Sequence, residues 1–267
     1  MYRFARAPKW IVSHALVLVL IVAMFNLGLW QLRRLDDKRD RNDRITARLD
    51  EPVDDLAALT EGLDLESAVS VEYRLAVATG TYLTDEQVLV RNRTLSGAPG
   101  YWVLTPLELP GGRAVVVNRG WVPVALVDAG DLADADPPPG EVQVGGLVLD
   151  SEVRQGLQSG DPDEGVLAEM ARVDLARLQQ QIDLELLPVQ LQLEGQDPAQ
   201  AASTNGLPVM LDRPTLDEGP HLGYAVQWFV FTSIALVGYP LILRRVARDR
   251  AREAGSPDTI EDPGPSS

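Results

Sequence analysis

Residues 10–32 (WIVSHALVLVLIVAMFNLGLWQL) run without an Asp, Glu, Lys or Arg. At ~1.5 Å of rise per residue, about 20 such residues cross the ~30 Å hydrocarbon layer of a bilayer. Trp10 and Trp30 would then stand about 30 Å apart, the spacing of two interfacial aromatic anchors. A cleaved signal peptide needs a small-x-small site after its apolar core, and the bulky Phe25–Trp30 stretch offers none, so the pattern predicts a retained transmembrane helix. A second charge-free run covers residues 224–243 (YAVQWFVFTSIALVGYPLIL), with Pro240 near its end. It predicts a second span, because a missing backbone donor is tolerated in the last turn.

Between the runs the pattern changes. Residues 31–49 continue the first helix as a polar stalk, with Arg33/Asp37, Asp37/Arg41 and Asp40/Arg44 at i,i+4 spacing. Residues 50–70 read as a linker. Stretches rich in Val, Leu and Tyr at 71–79, 87–93, 101–109, 113–119 and 141–150, parted by Gly- and Pro-containing turns, predict strands, the third and fourth forming a hairpin. The DADPPPG segment from Asp134 to Gly140 predicts a loop, with Asp134 and Asp136 as plain loop charges. Asp174 predicts a helix cap ahead of Leu175, Leu178 and Ile182. The alternation at 189–194 (VQLQLE) predicts another strand, and 207–211 a short last one. Strands, helix, strands, with no βαβ alternation, indicate an antiparallel α+β domain, barrel- or sandwich-like, flanked by two transmembrane helices.

Charge adds orientation. The net charge of −15 comes from 24 Lys and Arg against 39 Asp and Glu. Residues 33–223 carry a net −18, so the acidity belongs to the domain between the spans. Five arginines at 244–252 follow the second span and acids precede it, which predicts a cytoplasmic C-terminus. Basic residues after the first span point the other way, but they are interleaved with acids and open a loop too long for the rule. The layout is therefore a cytoplasmic N-terminus (1–9), a span (10–32), an extracytoplasmic stalk and β-rich domain (33–223), a span (224–243), and a basic, then disordered, cytoplasmic tail (244–267). Such an acidic chain is a poor nucleic-acid binder.

The candidate chemistry is sparse. The chain has no cysteine, which excludes disulfides, thiolate metal sites and thiol copper carriage, and its four methionines are scattered. No phosphate-binding Gly-rich motif occurs, and two histidines cannot build a Ser-His-Asp triad inside the β-rich domain, so catalysis is not expected.

The segments LGLWQLRRLDDK (27–38), GTY (80–82), LVRNRTLSGAPGYWVLTPL (89–107), VVVNRGWVP (115–123) and GPHLGYAVQWFVF (219–231) together resemble, in order, the Surfeit-locus family of cytochrome c oxidase assembly factors. Residues 124–186 match that family only loosely. The resemblance implies two spans with the large domain on the outer face and a part in maturing the heme a-containing catalytic subunit of the oxidase. Its implied partners are that subunit, heme a synthase or a respiratory supercomplex, within the lipid bilayer. A cofactor-free accessory or scaffold subunit of the oxidase is the competing reading.

His221, beside the second span, is the residue best suited to hold heme iron, since imidazole is its usual axial ligand. Asn26, Gln31, His221 and Gln227 fall at similar depth near the outer interface, and polar groups there mark function unless they pair with one another. Trp30, Tyr224 and Trp228 would supply flat apolar walls for a macrocycle, or serve only as interfacial anchors. Arg91, Arg93 and Arg119 form a second set, for heme propionates or for structural ion pairs. Strand alternation puts Arg91 and Arg93 on the face of Leu89, and Arg119 on that of Val115 and Val117. His14, one turn into the other end of the first span, is expected to bond a neighbouring helix or a partner. Gly28 and Gly238 are expected to let helices approach closely.

Overall fold

Two helices in the computed structural model, α1 (Pro8–Leu49) and α5 (His221–Glu253), are long and apolar enough to cross a membrane. The structure describes residues 6–154, 156, 160–201 and 206–253; the tail expected to be disordered lies outside them. Only 6% of each helix's apolar window is buried by the protein itself, the remainder being surface that hydrocarbon would cover. α1 runs unbroken through the expected stalk, and α5 passes Pro240 without ending. The chain divides into two compact units, residues up to Asp43 with those from Leu216 onward, and Arg44–Thr215.

In the first unit the helices run antiparallel, as contacts of residue 14 with 239 and of 31 with 221 require. The sheltered positions of α1 recur every three or four residues: Trp10, His14, Val17, Ile21, Met24, Gly28, Gln31, Leu35 and Asn42. On α5 they are His221, Ala225, Trp228, Thr232, Ala235 and Tyr239. This 3.5-residue period is that of knobs-into-holes packing between gently supercoiled helices. Gly28 makes room for the Phe229 ring: a Cβ there would lie 2.7 Å from its Cε1. Phe25 meets the same ring edge-on at 5.7 Å. The seam continues past the span. Leu35 is buried, Arg39 donates twice to Glu218 at 3.0 Å, and the Asn42 amide donates to Leu216 O at 2.7 Å. The expected solvated stalk is thus a packed continuation of the pair.

The second unit is a closed barrel. β2 (Leu75–Tyr82), β6 (Glu141–Leu149), β8 (Glu185–Asp197), β5 (Arg113–Pro123) and β4 (Ala98–Leu109) neighbour one another in that order, and β4 returns to β2 through Thr81 with Glu108 and Tyr82 with Leu107. β3 (Val88–Leu95) lies outside the ring against β4. Two short strands, β1 (Asp54–Asp55) and β7 (Glu169–Met170), lie along β2 and β3. Alternate residues of β5 serve two cores. Val115 and Val117 join Leu107, Val142, Val144, Val189 and Leu191 inside the barrel. Val116 joins Val88, Val90, Leu104 and Met170 beneath the short helix α4 (Leu175–Leu178). A strand buried on both faces reads as a continuous apolar run, which is the VVV of 115–117.

The structure departs from the expectations at definite points. The sheet is mixed, since β5 and β8 pair in parallel. Parallel neighbours need a long crossover, which residues 124–184 provide, starting with the short helix α3 (Val124–Asp128). The expected linker at 50–70 is structured: β1, the short helix α2 (Leu56–Leu59) and buried Leu56 and Ala68 close the barrel core. The last short strand reduces to a bridge between Trp121 and Val209. Asp174 caps α4 as expected, accepting from Arg177 N at 3.0 Å.

Candidate functional site

His221 is the first residue of α5, entered through the turn Asp217–Pro220, where Asp217 Oδ1 accepts from Gly219 N at 2.9 Å. Across the seam, His221 Nδ1–H donates to Oε1 of Gln31 at 2.8 Å. That bond fixes the tautomer and leaves Nε2 with its lone pair outward, the arrangement of a metal-ligating imidazole whose second nitrogen is held by a carbonyl. Gly219, at φ +71°, lets the turn adopt a left-handed backbone beside the ring; a Cβ there would make only ordinary contact with Nε2, at 3.5 Å.

The other predicted wall residues gather only in part. Trp228 lies on the seam one and two turns from Ala225 and His221, half-sheltered, with Phe231 edge-on at 6.1 Å. Trp30 and Tyr224 are about half exposed and point off the seam. Asn26 does not bridge the helices; its amide donates to Val22 O on its own helix at 2.8 Å. Gln227 is exposed, about 100° around α5 from the seam position at Trp228, so it does not join His221. The opposite end of the seam holds the second histidine. His14 Nδ1 and Tyr239 Oη share a 2.6 Å hydrogen bond, with Ser13 Oγ 3.0 Å from the same hydroxyl. Both histidines therefore clamp the pair, about 25 Å apart along α1.

The three arginines of the barrel unit have separate roles. Arg91 donates to Asp161 at 2.9 Å, and Arg93 to Glu152 at 2.8 Å while its guanidinium lies 3.9 Å above the Trp102 ring. These are structural pairs. A β-bulge falls between Val90 and Arg93, with Asn92 at φ +62°, so the predicted common face with Leu89 is lost. Arg93 instead turns toward Trp102, on the Val88 and Val90 side.

Arg119 is different. It follows Val115 and Val117 to the barrel interior, where it is 1% exposed. Its hydrogen-bond partners are neutral: Nη1 donates to Gln87 Oε1 at 3.3 Å and Nη2 to Gln200 Oε1 at 3.1 Å, while the Tyr82 ring lies 5.5 Å away and Asp136 is close enough to favour the charge. Nε has no acceptor. Burial lowers the Arg119 pKa to about 10 and raises that of the Tyr82 hydroxyl. Tyr82 Oη in turn donates to Gln196 Oε1 at 3.0 Å, and Gln200 Nε2 donates to Asp136 O at 2.6 Å, so this polar network ties β2, β5 and the end of β8 to the Asp136 loop. No group of three or more metal-ligating side chains occurs among the described residues.

Gly219 and the Gln31–His221 bond were the features the sequence could not rank. The signal for the first was the GPH turn itself; for the second it was only the shared depth of the two residues.

The profile described as the SURF1 family matches residues 18–233. The chain is similar to an uncharacterized SURF1-like protein of Mycobacterium tuberculosis, 31% identical over 271 residues that cover 95% of this chain and 91% of that one. A SURF1-like protein of Rickettsia felis is 25% identical, covering 88% and 98%. One of Caenorhabditis elegans is 26% identical, covering 87% and 74%.

Proposed function

The chain belongs to the SURF1 family, a family of oxidase assembly factors, and on that premise we propose that it holds heme a at the outer end of its helix pair while the catalytic subunit of cytochrome c oxidase matures. The observation that carries this reading is the His221–Gln31 bond, with Nε2 left free beside Gly219. The donor set fits a heme iron. The imidazole has one nitrogen held by a carbonyl and the other left to ligate.

His221 Nε2 would hold the iron, and apolar side chains of the helix pair would flank the macrocycle, whose redox-active metal is the chemistry the group would supply. The protein's own contribution is to hold and orient. Gln31 sets the ring angle of His221, Gly28 and Phe229 hold the helices at a fixed separation below it, and half-sheltered Trp228 offers an apolar flank. Among the described residues no second histidine lies near His221; the other one is bonded to Tyr239 at the far end. A single protein ligand suits a carrier that must release its cargo. In this reading the acidic barrel unit stands outside the membrane and the ligand belongs to the uncharged helix pair. Arg91 and Arg93, already bound to Asp161 and Glu152, take no propionate.

The test is complementation of a deletion strain, reading the heme a content of the isolated oxidase. Wild type restores it. His221→Ala lowers it while leaving the assembly factor in the membrane at normal amount. Full restoration by His221→Ala would support a cofactor-free accessory role instead.

A further inference from the structure

Down the axis of α5, a row of apolar side chains and the arginines beyond the span share one line. Val230, Ile234, Val237 and Leu241 fall within about 60° of arc, and Arg244, Arg245, Arg248 and Arg252 continue that stripe within about 100°. All eight are exposed. The stripe lies about 170° around the helix from the seam positions Thr232 and Tyr239, so α1 leaves it uncovered. None of these four arginines has a hydrogen-bond or ion-pair partner among the described residues.

The two ends of the helix pair differ in charge. Because His14 meets Tyr239 in an antiparallel pair, Lys9 stands level with Arg244. Residues 6–9 and 244–253 carry seven cations against Asp249 and Glu253, a net +5. At the other end, residues 33–43 and 216–220 carry a net −1, and Arg39 there is bonded to Glu218. Arg244, Arg245 and Arg248 follow the last apolar residue, Leu243, by about 1.5–7.5 Å of rise, the depth of one headgroup layer.

We propose that this stripe binds an anionic phospholipid, with an acyl chain along Val237 and Leu241 and the phosphate on Arg244 and Arg248. The occupant follows from the two halves together. Hydrocarbon suits the apolar half, and an oxyanion suits guanidinium groups that no carboxylate of this chain engages. A membrane lipid carries both, in this order and at this depth. A zwitterionic headgroup brings its own cation to the same place, so a headgroup with net negative charge is preferred. The site is independent of any heme at His221.

The chain has no native cysteine, so a single label reports each end of the stripe. Val230 and Val237 are both exposed and stand about 9 Å inside opposite ends of the span. A bimane is attached to Val230→Cys or Val237→Cys of the full chain. The protein is reconstituted in vesicles of phosphatidylcholine and phosphatidylglycerol, with one lipid or the other carrying brominated chains. Brominated phosphatidylglycerol should quench the label at 237 as though enriched about fivefold over its bulk fraction, the effect of about one engaged arginine. At 230 it should quench by its bulk fraction alone. Arg248→Gln should about halve the enrichment or more and Arg248→Lys should retain it, while Arg250→Gln, about 160° away on the seam side, should leave it unchanged. Equal quenching by the two lipids at 237, equal enrichment at 230, or indifference to Arg248→Gln would each overturn the proposal. So would a label at 237 that neither lipid quenches, since a protein surface would then cover the stripe. The comparison of the two labels needs no arginine substitution, so it stands even where a variant fails to insert.

Discussion

Replacing Arg119 by methionine probes the strangest group in the barrel. The guanidinium is buried with no carboxylate bonded to it, and burial takes its pKa from 12.5 to about 10. At 1.36 kcal/mol per unit, holding the charge there costs the fold about 3 kcal/mol at neutral pH. Its hydrogen bonds to Gln87 and Gln200 return about 1.5 kcal/mol each, the low end for charged donors because both are long. The two terms nearly cancel. Methionine keeps most of the volume against Tyr82 and removes both terms, and Gln87 still accepts from Thr105 Oγ1 at 3.0 Å. Arg119→Met should therefore change unfolding stability by no more than about 1 kcal/mol, where breaking a buried ion pair costs about 3–5 kcal/mol. The assay is urea unfolding of the full chain in mild detergent, followed by tryptophan fluorescence, since Trp102 and Trp121 both belong to the barrel unit. The pH dependence carries the sign. For a base whose folded pKa is lowered, the penalty is complete below about pH 10 and fades as pH rises from there toward 12.5. Wild type should thus gain on the variant between pH 9 and 11. A loss above about 3 kcal/mol at pH 7, or a difference flat across that pH range, would refute the reasoning.

The remaining predictions concern packing and orientation. Gly28→Leu drives a side chain into the Phe229 ring and should separate the helices, seen as loss of a disulfide between cysteines engineered on opposite sides of the seam. Gly146→Ala sets a Cβ 2.0 Å from Gln192 O where β6 meets β8, and should cost on the order of 3 kcal/mol in urea unfolding. Asp174→Ala removes the α4 cap and should cost about 1 kcal/mol in the same assay. For orientation, a cysteine at exposed Val166 should react with an impermeant maleimide in intact cells and one at Asp249 should not; the reverse would invert the proposed topology.

The two spans and most strands were legible because burial against lipid or inside a barrel imposes simple periods on the chain. The charge-free runs at 10–32 and 224–243 fall within α1 and α5, and the hairpin of β4 and β5 lies where the Pro-Gly-Gly turn placed it. What the pattern hid was non-local. The parallel pairing of β5 with β8 depends on where a long crossover returns, which the local pattern of its own strand and helix does not encode. The bulge at Arg91–Asn92 shifts the period by one residue, which moved Arg93 to the other face. The 31–49 helix reads as solvated because its buried positions, Leu35, Asn42 and Ile45, are few among many charges. At the site, depth along the spans was readable from residue counts. Azimuth around each helix was not, and azimuth separates His221 and Gln31, which meet, from Gln227 and Trp30, which face elsewhere.

The most direct test of the proposed heme-holding role is the reduced-minus-oxidised visible spectrum of the full chain purified in mild detergent from cells that make heme a. Wild type should show a heme a band at a fixed ratio to protein, and His221→Ala should lose it while keeping wild-type helicity. A wild-type spectrum without heme, or a band unchanged in His221→Ala, would contradict the account.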